Sequence, residues 1–398
     1  MEESILGLVL IPLLAVVAPV LARLIGPVLR IPVVVFELVL GILVGPALLG
    51  WVHPTEILHG LSEFGLAMLF FLAGSEIDFA GIGRKSLGRA SLGWLVSIVL
   101  GVGVGFLIAP GDGMIVVAIA LSSTALGTLM PILRDAGELG SPFGKAVTAI
   151  GTVGEFLTLI AISIFLSVRA APLATVILLI FVAVALLSVY AARRIPHGKL
   201  HAFVNATLHT SAQFGIRFVL LLVAALVALS LWLDLDMLLG AFVAGAVWRI
   251  VMSSASKKDA EEMESKLEGI AFGFLVPIFF IYTGVTFDLA ALLASPLAMA
   301  LVPILLIALL VIRGLSAQFS AKGMSGRDRT ALGLLAATGL PIIVAVTGIG
   351  VDQGMLASDI AAALVGAGML SVLLYPLIGM TIRGERSAVQ GAPLGAEL

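Results

Sequence analysis

The sequence predicts an all-α membrane protein with about thirteen transmembrane helices. Of its 398 residues, 61% are hydrophobic and 12% are charged, and the mean hydropathy is +1.21. A soluble protein of this length could not bury so much apolar surface. Apolar stretches of about 20 residues, the length that crosses the hydrocarbon of a bilayer, follow one another along almost the whole chain.

Charged residues and breaks containing Pro or Gly divide these stretches into thirteen predicted spans. The spans are 5–23, 31–50, 61–78, 90–109, 113–134, 143–168, 172–192, 213–232, 235–252, 268–288, 295–317, 328–349 and 358–380. A polar connector from Arg193 to Ala212 follows the seventh span. We expect one membrane domain, 1–398, organised as a first repeat (1–168), a linking helix with its connector (169–212), a second repeat (213–382) and a short polar tail (383–398).

The distribution of Lys and Arg predicts the orientation, because cytoplasmic loops carry an excess of both residues. With thirteen spans, 20 of the 22 Lys and Arg residues fall on one face of the membrane; the exceptions are Arg169, in an opposite loop, and Arg313, inside a span. We therefore expect the N-terminus outside and the C-terminus in the cytoplasm. Glu2 and Glu3 stand where a signal peptide would carry basic residues, so the first span is expected to remain in the membrane.

The two halves contain similar segments in the same order. Each half has an acid followed by glycine, a Phe-Phe pair followed by glycine and aspartate, and a small polar stretch; the matching ranges are 37–45 with 236–244, 70–78 with 279–288, and 122–126 with 336–340. Sequence rich in Leu and Gly can also produce such matches by chance. The collinear order favours two repeats, and the single linking helix between halves of six spans makes them inverted.

Glu155 is the clearest candidate for chemistry, because an ionisable side chain in hydrocarbon costs about 2.5–3.5 kcal/mol and is by default functional. It lies near the middle of the sixth span, roughly 18 Å from each end of the helix. Burial favours the protonated carboxyl group, so Glu155 could exchange a proton for a bound cation. The alternative is a protonated side chain that only hydrogen-bonds a neighbouring helix.

Arg313 is the cation inside a span, close to the predicted cytoplasmic end of span eleven. A permanently charged guanidinium favours an ionised acid, so we expect Arg313 to be a charge partner of the buried carboxylate. The alternative is a side chain that extends to the membrane interface.

Spans five and twelve are both interrupted by small and polar residues. The first contains Ser123, Thr124 and Pro131, and the second contains Thr338, Gly339 and Pro341. Such residues at matching positions of two repeats predict discontinuous helices, whose free carbonyls and hydroxyls are hard oxygen ligands suited to alkali cations. We expect Ser123, Thr124 and Thr338 to contribute to ion binding. A proline kink with hydroxyls bonded to their own helices is the alternative.

The other acidic residues near span ends are expected to cap or pack helices, because both repeats share them. They are Glu37 with Asp236, and Asp78 with Asp288. Glu76 has no counterpart in the second half, and its role is open.

Several function classes are excluded by composition. The chain has no Cys, and its five His residues have no zinc spacing. The net charge of −2 argues against a nucleic-acid partner. The sequence shows neither a nucleophile–base pair nor a phosphate-binding loop, so we do not expect an enzyme. No cofactor is expected either.

Five segments together resemble the monovalent cation:proton antiporter-2 family, which includes bacterial sodium/proton antiporters and Kef-type potassium/proton systems. The segments are 35–46, 65–78, 120–125, 238–245 and 277–284. The resemblance implies thirteen helices, a core domain with two crossed broken helices, a dimerisation domain, a homodimer and an elevator-like movement of the core. It also implies a multi-pass protein of a bacterial-type plasma (inner) membrane.

The resemblance also assigns roles to single residues. The family's paired site residues match Gly154 and Glu155, so Glu155 inherits ion binding, and the family's basic residue matches Arg313. Gly154 departs from the pattern, which leaves Arg313 without its usual partner, and Glu replaces the usual Asp. One carboxylate with one Arg implies electroneutral exchange. The tail is too short for the nucleotide-binding domain of Kef-type systems, so regulation by nucleotides is not expected.

The sequence therefore predicts a secondary transporter that exchanges Na+ or K+ for protons across the lipid bilayer. Two alternatives stay open: a carrier of related fold for an organic or anionic solute, and a cation channel or sensor on the same scaffold.

Overall fold

The computed structural model describes residues 2–26, 31–77, 83–167, 171–194, 213–252 and 257–384. This part of the chain is all-α and contains no strand. Ten of its helices are long and apolar enough to cross a membrane, and three shorter apolar helices accompany them. They correspond to the thirteen predicted spans, which confirms the predicted fold class.

The described part of the first half contains eight helical segments in chain order. They are α1 (Glu2–Ile25), α2 (Val33–Val44), α3 (Glu56–Ser75), α4 (Arg84–Ile108), the two half-helices α5a (Gly113–Ser122) and α5b (Leu126–Asp135), α6 (Pro142–Phe165) and the linking helix α7 (Ala171–Arg194).

The second half follows the same plan. Its helices are α8 (Phe214–Trp232), α9 (Met237–Met252), α10 (Lys257–Ile270, continued through a π-helical turn at Ala271–Leu275 into Val276–Val285), α11 (Pro296–Ala317), the half-helices α12a (Gly326–Ala336) and α12b (Pro341–Asp352), and α13 (Ser358–Arg383). A short helix, Leu289–Ala294, precedes α11.

Most predicted span limits agree with the helices to within a few residues, but α10 begins at Lys257 rather than at residue 268. The added turns of α10 are rich in charged residues. Ion pairs between residues four positions apart, such as Lys266 with Glu262 at 3.1 Å, stabilise this part of the helix outside hydrocarbon. Asp78, residues 195–212 of the connector and residues 385–398 of the tail lie outside the described residues.

The helices pack as two bundles. In the first, α1, α2 and α3 pack with α8, α9 and α10, and in the second, α4, α5 and α6 pack with α11, α12 and α13. The linking helix α7 contacts α6 of the second bundle and α9 of the first. Each bundle therefore contains three helices from each half of the chain.

Two close helix crossings in the first bundle relate the halves to each other. A Cβ on Gly41 would overlap the carbonyl oxygen of Ile281, where α2 crosses α10. A Cβ on Gly74 would likewise overlap the carbonyl oxygen of Phe242, where α3 crosses α9. The second helix of each half thus crosses the third helix of the other half, as expected for inverted repeats.

The helices α5 and α12 are broken, and their breaks lie against each other. Residues 123–125 separate the halves of α5, and residues 337–340 separate those of α12. The Ala125 N–H donates to the Thr338 carbonyl oxygen at 2.8 Å. Non-helical backbone at membrane depth thereby finds partners within the protein.

Two prolines were expected at the breaks, and only one lies there. Pro341 is the first residue of α12b, where the N–H that proline lacks has no helical acceptor. Pro131 lies inside α5b, after the break, so the prediction that it forms part of the break was wrong. The break falls at Ser123–Ala125, where the Ala125 N–H and the Thr124 hydroxyl donate to the carbonyl oxygens of Thr338 and Ala336.

Candidate functional site

The Glu155 carboxylate lies at the N-terminus of the half-helix α5b. Oε1 accepts hydrogen bonds from the Leu126 N–H at 2.7 Å and the Gly127 N–H at 3.4 Å. The first N–H groups of a helix have no acceptor within it, and the helix dipole favours negative charge there. Glu155 is 4% exposed, so the break in α5 supplies a buried carboxylate with two donors.

The second carboxylate oxygen has no partner. Glu155 Oε2 is buried and makes no hydrogen bond, and the same holds for Thr152 Oγ1, one turn earlier on α6. A buried polar oxygen without a partner is costly, and in native sites it marks a place for a proton, ion or water. The arrangement can hold a proton or a small cation on Oε2 while Oε1 stays fixed to α5b.

Arg313 is buried, so it does not extend to the membrane interface; its exposed fraction is 2%. Nη2 donates to Thr124 Oγ1 at 2.6 Å, and Nη1 donates to Ser97 Oγ at 3.1 Å. Nε contacts the same threonine oxygen at 3.0 Å and the Ala336 carbonyl at 3.4 Å. The guanidinium therefore braces α4, the α5 break and the end of α12a.

Arg313 makes no ion pair or hydrogen bond with Glu155 among these contacts, so its expected direct pairing with the carboxylate is not found. The reason is geometric. A Cβ on Gly154 would lie 3.0 Å from Arg313 Nη2 and 2.9 Å from Thr124 Cβ. The side of α6 that faces Arg313 is therefore the glycine side, and Thr124 and Ser97 take the donors that a carboxylate would take.

The three candidate hydroxyls lie at the crossing of the breaks, and all are fully buried. Thr124 Oγ1 donates to the Ala336 carbonyl at 2.6 Å. Ser123 Oγ donates to the Ala120 carbonyl at 2.8 Å, and Thr338 Oγ1 to the Leu334 carbonyl at 3.4 Å. Ser123 and Thr338 thus bond to their own helices, while Thr124 joins the two broken helices.

Gly339 allows α13 and the α5 break to approach α12. A Cβ there would lie 3.0 Å from Ser123 Oγ, and the Gly339 N–H donates to Ser371 Oγ at 3.2 Å. Ser371 on α13 therefore satisfies a backbone group that the break leaves free.

Other contributors were not predicted from the sequence. Ser97 contacts Arg313 from α4, and Thr152 leaves a free oxygen near Glu155. Thr152 lies three residues before Glu155 on α6, and that spacing could have indicated a shared helix face. Ser97 gives no such signal, because serines inside membrane helices commonly bond only to their own backbone.

The acidic residues shared by the repeats act partly as expected. Asp236 Oδ1 accepts the Leu238 N–H at 2.8 Å, and Asp288 Oδ1 accepts the Ala291 N–H at 2.8 Å, so both cap helices. Glu37 is buried on α2. No group of three or more His, Asp or Glu side chains in the described part of the chain could hold a metal ion.

Crossed broken helices around a buried carboxylate define a polytopic membrane protein of the antiporter fold. Residues 13–382 match the family described as sodium/hydrogen exchanger, transmembrane. The chain belongs to this family, which confirms the resemblance seen in its motifs.

The relatives and a solved structure agree with that membership. The chain is 27% identical over 394 residues to the "Putative Na(+)/H(+) antiporter YjbQ" of Bacillus subtilis (strain 168), covering 94% of this chain and 62% of the relative. It is 26% identical over 363 residues to the Na(+)/H(+)-K(+) antiporter GerN of Bacillus cereus, covering 87% of this chain and 88% of GerN.

The fold is also similar to that of the sodium proton antiporter MjNhaP1 from Methanocaldococcus jannaschii at pH 8. The TM-score is 0.67 at 15% identity, over 94% of this chain and 96% of the other. The chain thus spans less than two thirds of YjbQ and nearly the whole of MjNhaP1.

Proposed function

We propose that this protein exchanges a monovalent cation, Na+ or K+, for a proton, and that Glu155 binds the two in turn. The buried Glu155 carboxylate carries the proposal: α5b donates to Oε1, while Oε2, like Thr152 Oγ1 one turn earlier on α6, has no hydrogen-bond partner within the described protein. A proton or an alkali cation on Oε2 would each neutralise the carboxylate. Because both compete for one oxygen, binding of one requires release of the other.

One carboxylate implies exchange of one cation for one proton. The protonated and the cation-bound site carry the same net charge, since Arg313 keeps its neutral partners Thr124 and Ser97 in either form. Movement of both forms across the membrane then transfers no net charge, so the exchange is electroneutral. Transport rates that do not change with membrane potential would support this stoichiometry.

Alternating access requires the site to face the two sides of the membrane in turn, and we infer an elevator-like movement of the bundle that carries Glu155. The support is the division into two bundles. Their contact next to the site is apolar: Phe156 of α6 stacks on Phe242 of α9, with ring centroids 5.6 Å apart. Apolar surfaces can slide with little loss of directional bonding.

The test is proton movement in proteoliposomes, followed with a pH-sensitive dye after a pulse of Na+ or K+. Glu155→Gln keeps an acceptor for the Leu126 N–H but cannot bind a proton or balance a cation, so cation-driven proton movement should disappear. Glu37→Gln is the matched control, because it neutralises a buried carboxyl group in the other bundle and should leave transport intact. Full transport by Glu155→Gln would overturn the proposal.

The same assay tests which ion is carried. The name of GerN refers to both Na+ and K+, and hard oxygen ligands bind either ion. Proton movement that ignores Na+, K+ and Li+ alike would instead point to an organic or anionic solute.

We further propose a bacterial plasma membrane location, with the N-terminus outside and a homodimeric assembly. The lopsided Lys and Arg distribution supports the orientation. Because the chain has no Cys, single cysteines at the exposed positions Asp112, before α5a, and Lys322, before α12a, can be labelled on whole cells. Membrane-impermeant reagent should reach only the first. Mass measurement in nanodiscs would test the dimer.

A further inference from the structure

A second charged cluster lies at the far end of the half-helix that holds Glu155. Arg134, in the last turn of α5b, contacts Glu268 at 2.6 Å, Glu76 at 3.3 Å and Glu264 at 3.8 Å. Glu76 follows α3, and the other two acids lie on the charged first part of α10. The cluster therefore joins α5b of one bundle to α3 and α10 of the other.

Glu76 differs from the other acids of the cluster. Its side chain is 11% exposed, against 25% for Glu268 and 41% for Glu264. Its Oε1 contacts Arg134, while its Oε2 is buried without a partner. An inaccessible carboxylate oxygen with no donor is a position that a proton can satisfy.

The positive charges around Glu76 do not outnumber the other negative charges there, so the negative charge of ionised Glu76 is not compensated. Arg134 faces it from α5b and Arg249 from α9, while Glu264 and Glu268 face it from α10. Arg134 is shared with both of those acids. Burial raises the pKa of Glu76 from 4.5 to about 8, and Arg134 opposes part of that rise.

Glu76 and Glu155 contact opposite ends of the half-helix α5b, so their negative charges repel each other across this short distance. Two links therefore connect these acids: direct repulsion when both are ionised, and α5b itself, which binds Glu155 at its first residues and Glu76 through Arg134 at its last turn. Over the nine residues from Leu126 to Arg134, a helix rises by about 12 Å.

We propose that Glu76 is a second proton-binding site, which acts on Glu155 through its charge and sets the pH range of transport. Ionised Glu76 holds Arg134 and repels the Glu155 carboxylate, so the proton on Glu155 is released only at higher pH. Protonated Glu76 does neither. The inference rests on the proposed exchange at Glu155, and Glu76 is a positioning residue that does not itself touch the transported cation.

The pH profile of transport tests this inference. Glu76→Gln removes the charge and keeps the shape, so the midpoint of the profile, measured in proteoliposomes with equal pH on both sides, should move to lower pH by about half a unit to one unit. The profile should also steepen, because two coupled titrations become one. Glu264→Gln, which removes a more exposed charge from the same cluster, should shift it much less.

Folding defects are separated from the effect by a second variant. Glu76→Ser removes the same charge with less bulk, and it should give the same direction of shift if Glu76→Gln does not purify. A profile in either folded variant that superimposes on that of the wild type would overturn the inference. If Glu155→Gln abolishes exchange while the Glu76 variants behave as wild type, only the role of Glu76 fails; if Glu155→Gln transports fully, the proposed function fails.

Discussion

The guanidinium of Arg313 packs against Gly154, so that a Cβ at this glycine would lie 3.0 Å from Nη2. The space beside Gly154 on α6 is thus filled by the guanidinium itself. Arg313 bonds only to neutral groups as a result: two hydroxyls and one carbonyl. We therefore expect a change at Gly154 to lower both stability and transport, and a change at Arg313 to lower mainly stability.

Gly154→Ala should lower both thermal stability and transport. The added methyl would meet Thr124 Cβ at 2.9 Å and Thr124 Oγ1 at 3.0 Å, so the α5 break or Arg313 must shift, at a cost of about 1–3 kcal/mol. Gly348→Ala on α12b is the control, because nothing lies within 4 Å of its added Cβ. That variant should unfold at or slightly above the wild-type temperature. Equal melting temperatures for both variants would contradict the tight packing at Gly154.

Arg313→Gln should reduce stability while leaving measurable cation–proton exchange. The change removes hydrogen bonds to Thr124 and Ser97, worth about 1.5–3 kcal/mol when a charged donor is lost. It leaves no carboxylate without its counter-charge, because Arg313 has no acidic partner in the described structure. Melting temperature and proton flux should be measured on the same preparation. Complete loss of exchange in a well-folded Arg313→Gln protein would indicate a direct electrostatic role toward Glu155.

An ion pair between the α5b–α6 loop and the end of α13 should make stability depend on pH in acid. Arg383 Nη1 lies 2.7 Å from Glu138 Oε1, and its guanidinium lies over the Phe143 ring at 4.0 Å. The hydrogen bonds from Arg383 hold the pKa of Glu138 below its ordinary value. A lowered pKa in the folded state stabilises it above the unfolded pKa, and that stabilisation is lost as pH falls through the folded value.

Glu138→Gln should accordingly melt below the wild type at neutral pH, and the gap should close below about pH 4. Differential scanning fluorimetry at a series of pH values measures this gap. Asp112→Asn, which alters a loop carboxylate without a capping hydrogen bond, should show little gap at neutral pH. A gap for Glu138→Gln that stays constant down to acid pH would show that the ion pair does not titrate as stated.

The thirteen helices were predictable because a helix that crosses the hydrocarbon of a bilayer needs about 20 predominantly apolar residues, and this requirement leaves a clear sequence pattern. Glu155 was predictable for the converse reason, since it interrupts that pattern. The breaks in α5 and α12 were recognised from their small polar residues, and the α5 break includes Ser123 and Thr124, two of the residues that predicted it. Pro131 drew attention because it lacks an N–H, yet a helix can absorb one proline when its neighbours satisfy the freed carbonyl.

The partners of Arg313 could not be predicted from local pattern. Ser97 is 216 residues away in the chain and Thr124 is 189 residues away. The Ser97 hydroxyl also donates to the Gly93 carbonyl oxygen of its own helix at 3.1 Å, and the Thr124 hydroxyl could have bonded only to its own chain segment, as that of Ser123 does. Only the packing of α4, α5 and α11 around Gly154 decides which hydroxyl meets the guanidinium.

The hydrogen bonds between the two breaks also bear on how the chain is made. Thr124 and its acceptor Ala336 are 212 residues apart, so at ribosomal rates the first break precedes its partner by roughly 10 to 40 s. Throughout that interval, the Ala125 N–H and the Thr124 hydroxyl lack the acceptors on α12. Hydrocarbon offers no substitute. During synthesis α5 must therefore stay continuous or remain beside water or the insertion machinery, and the crossing of the two breaks forms only after α12a has been made.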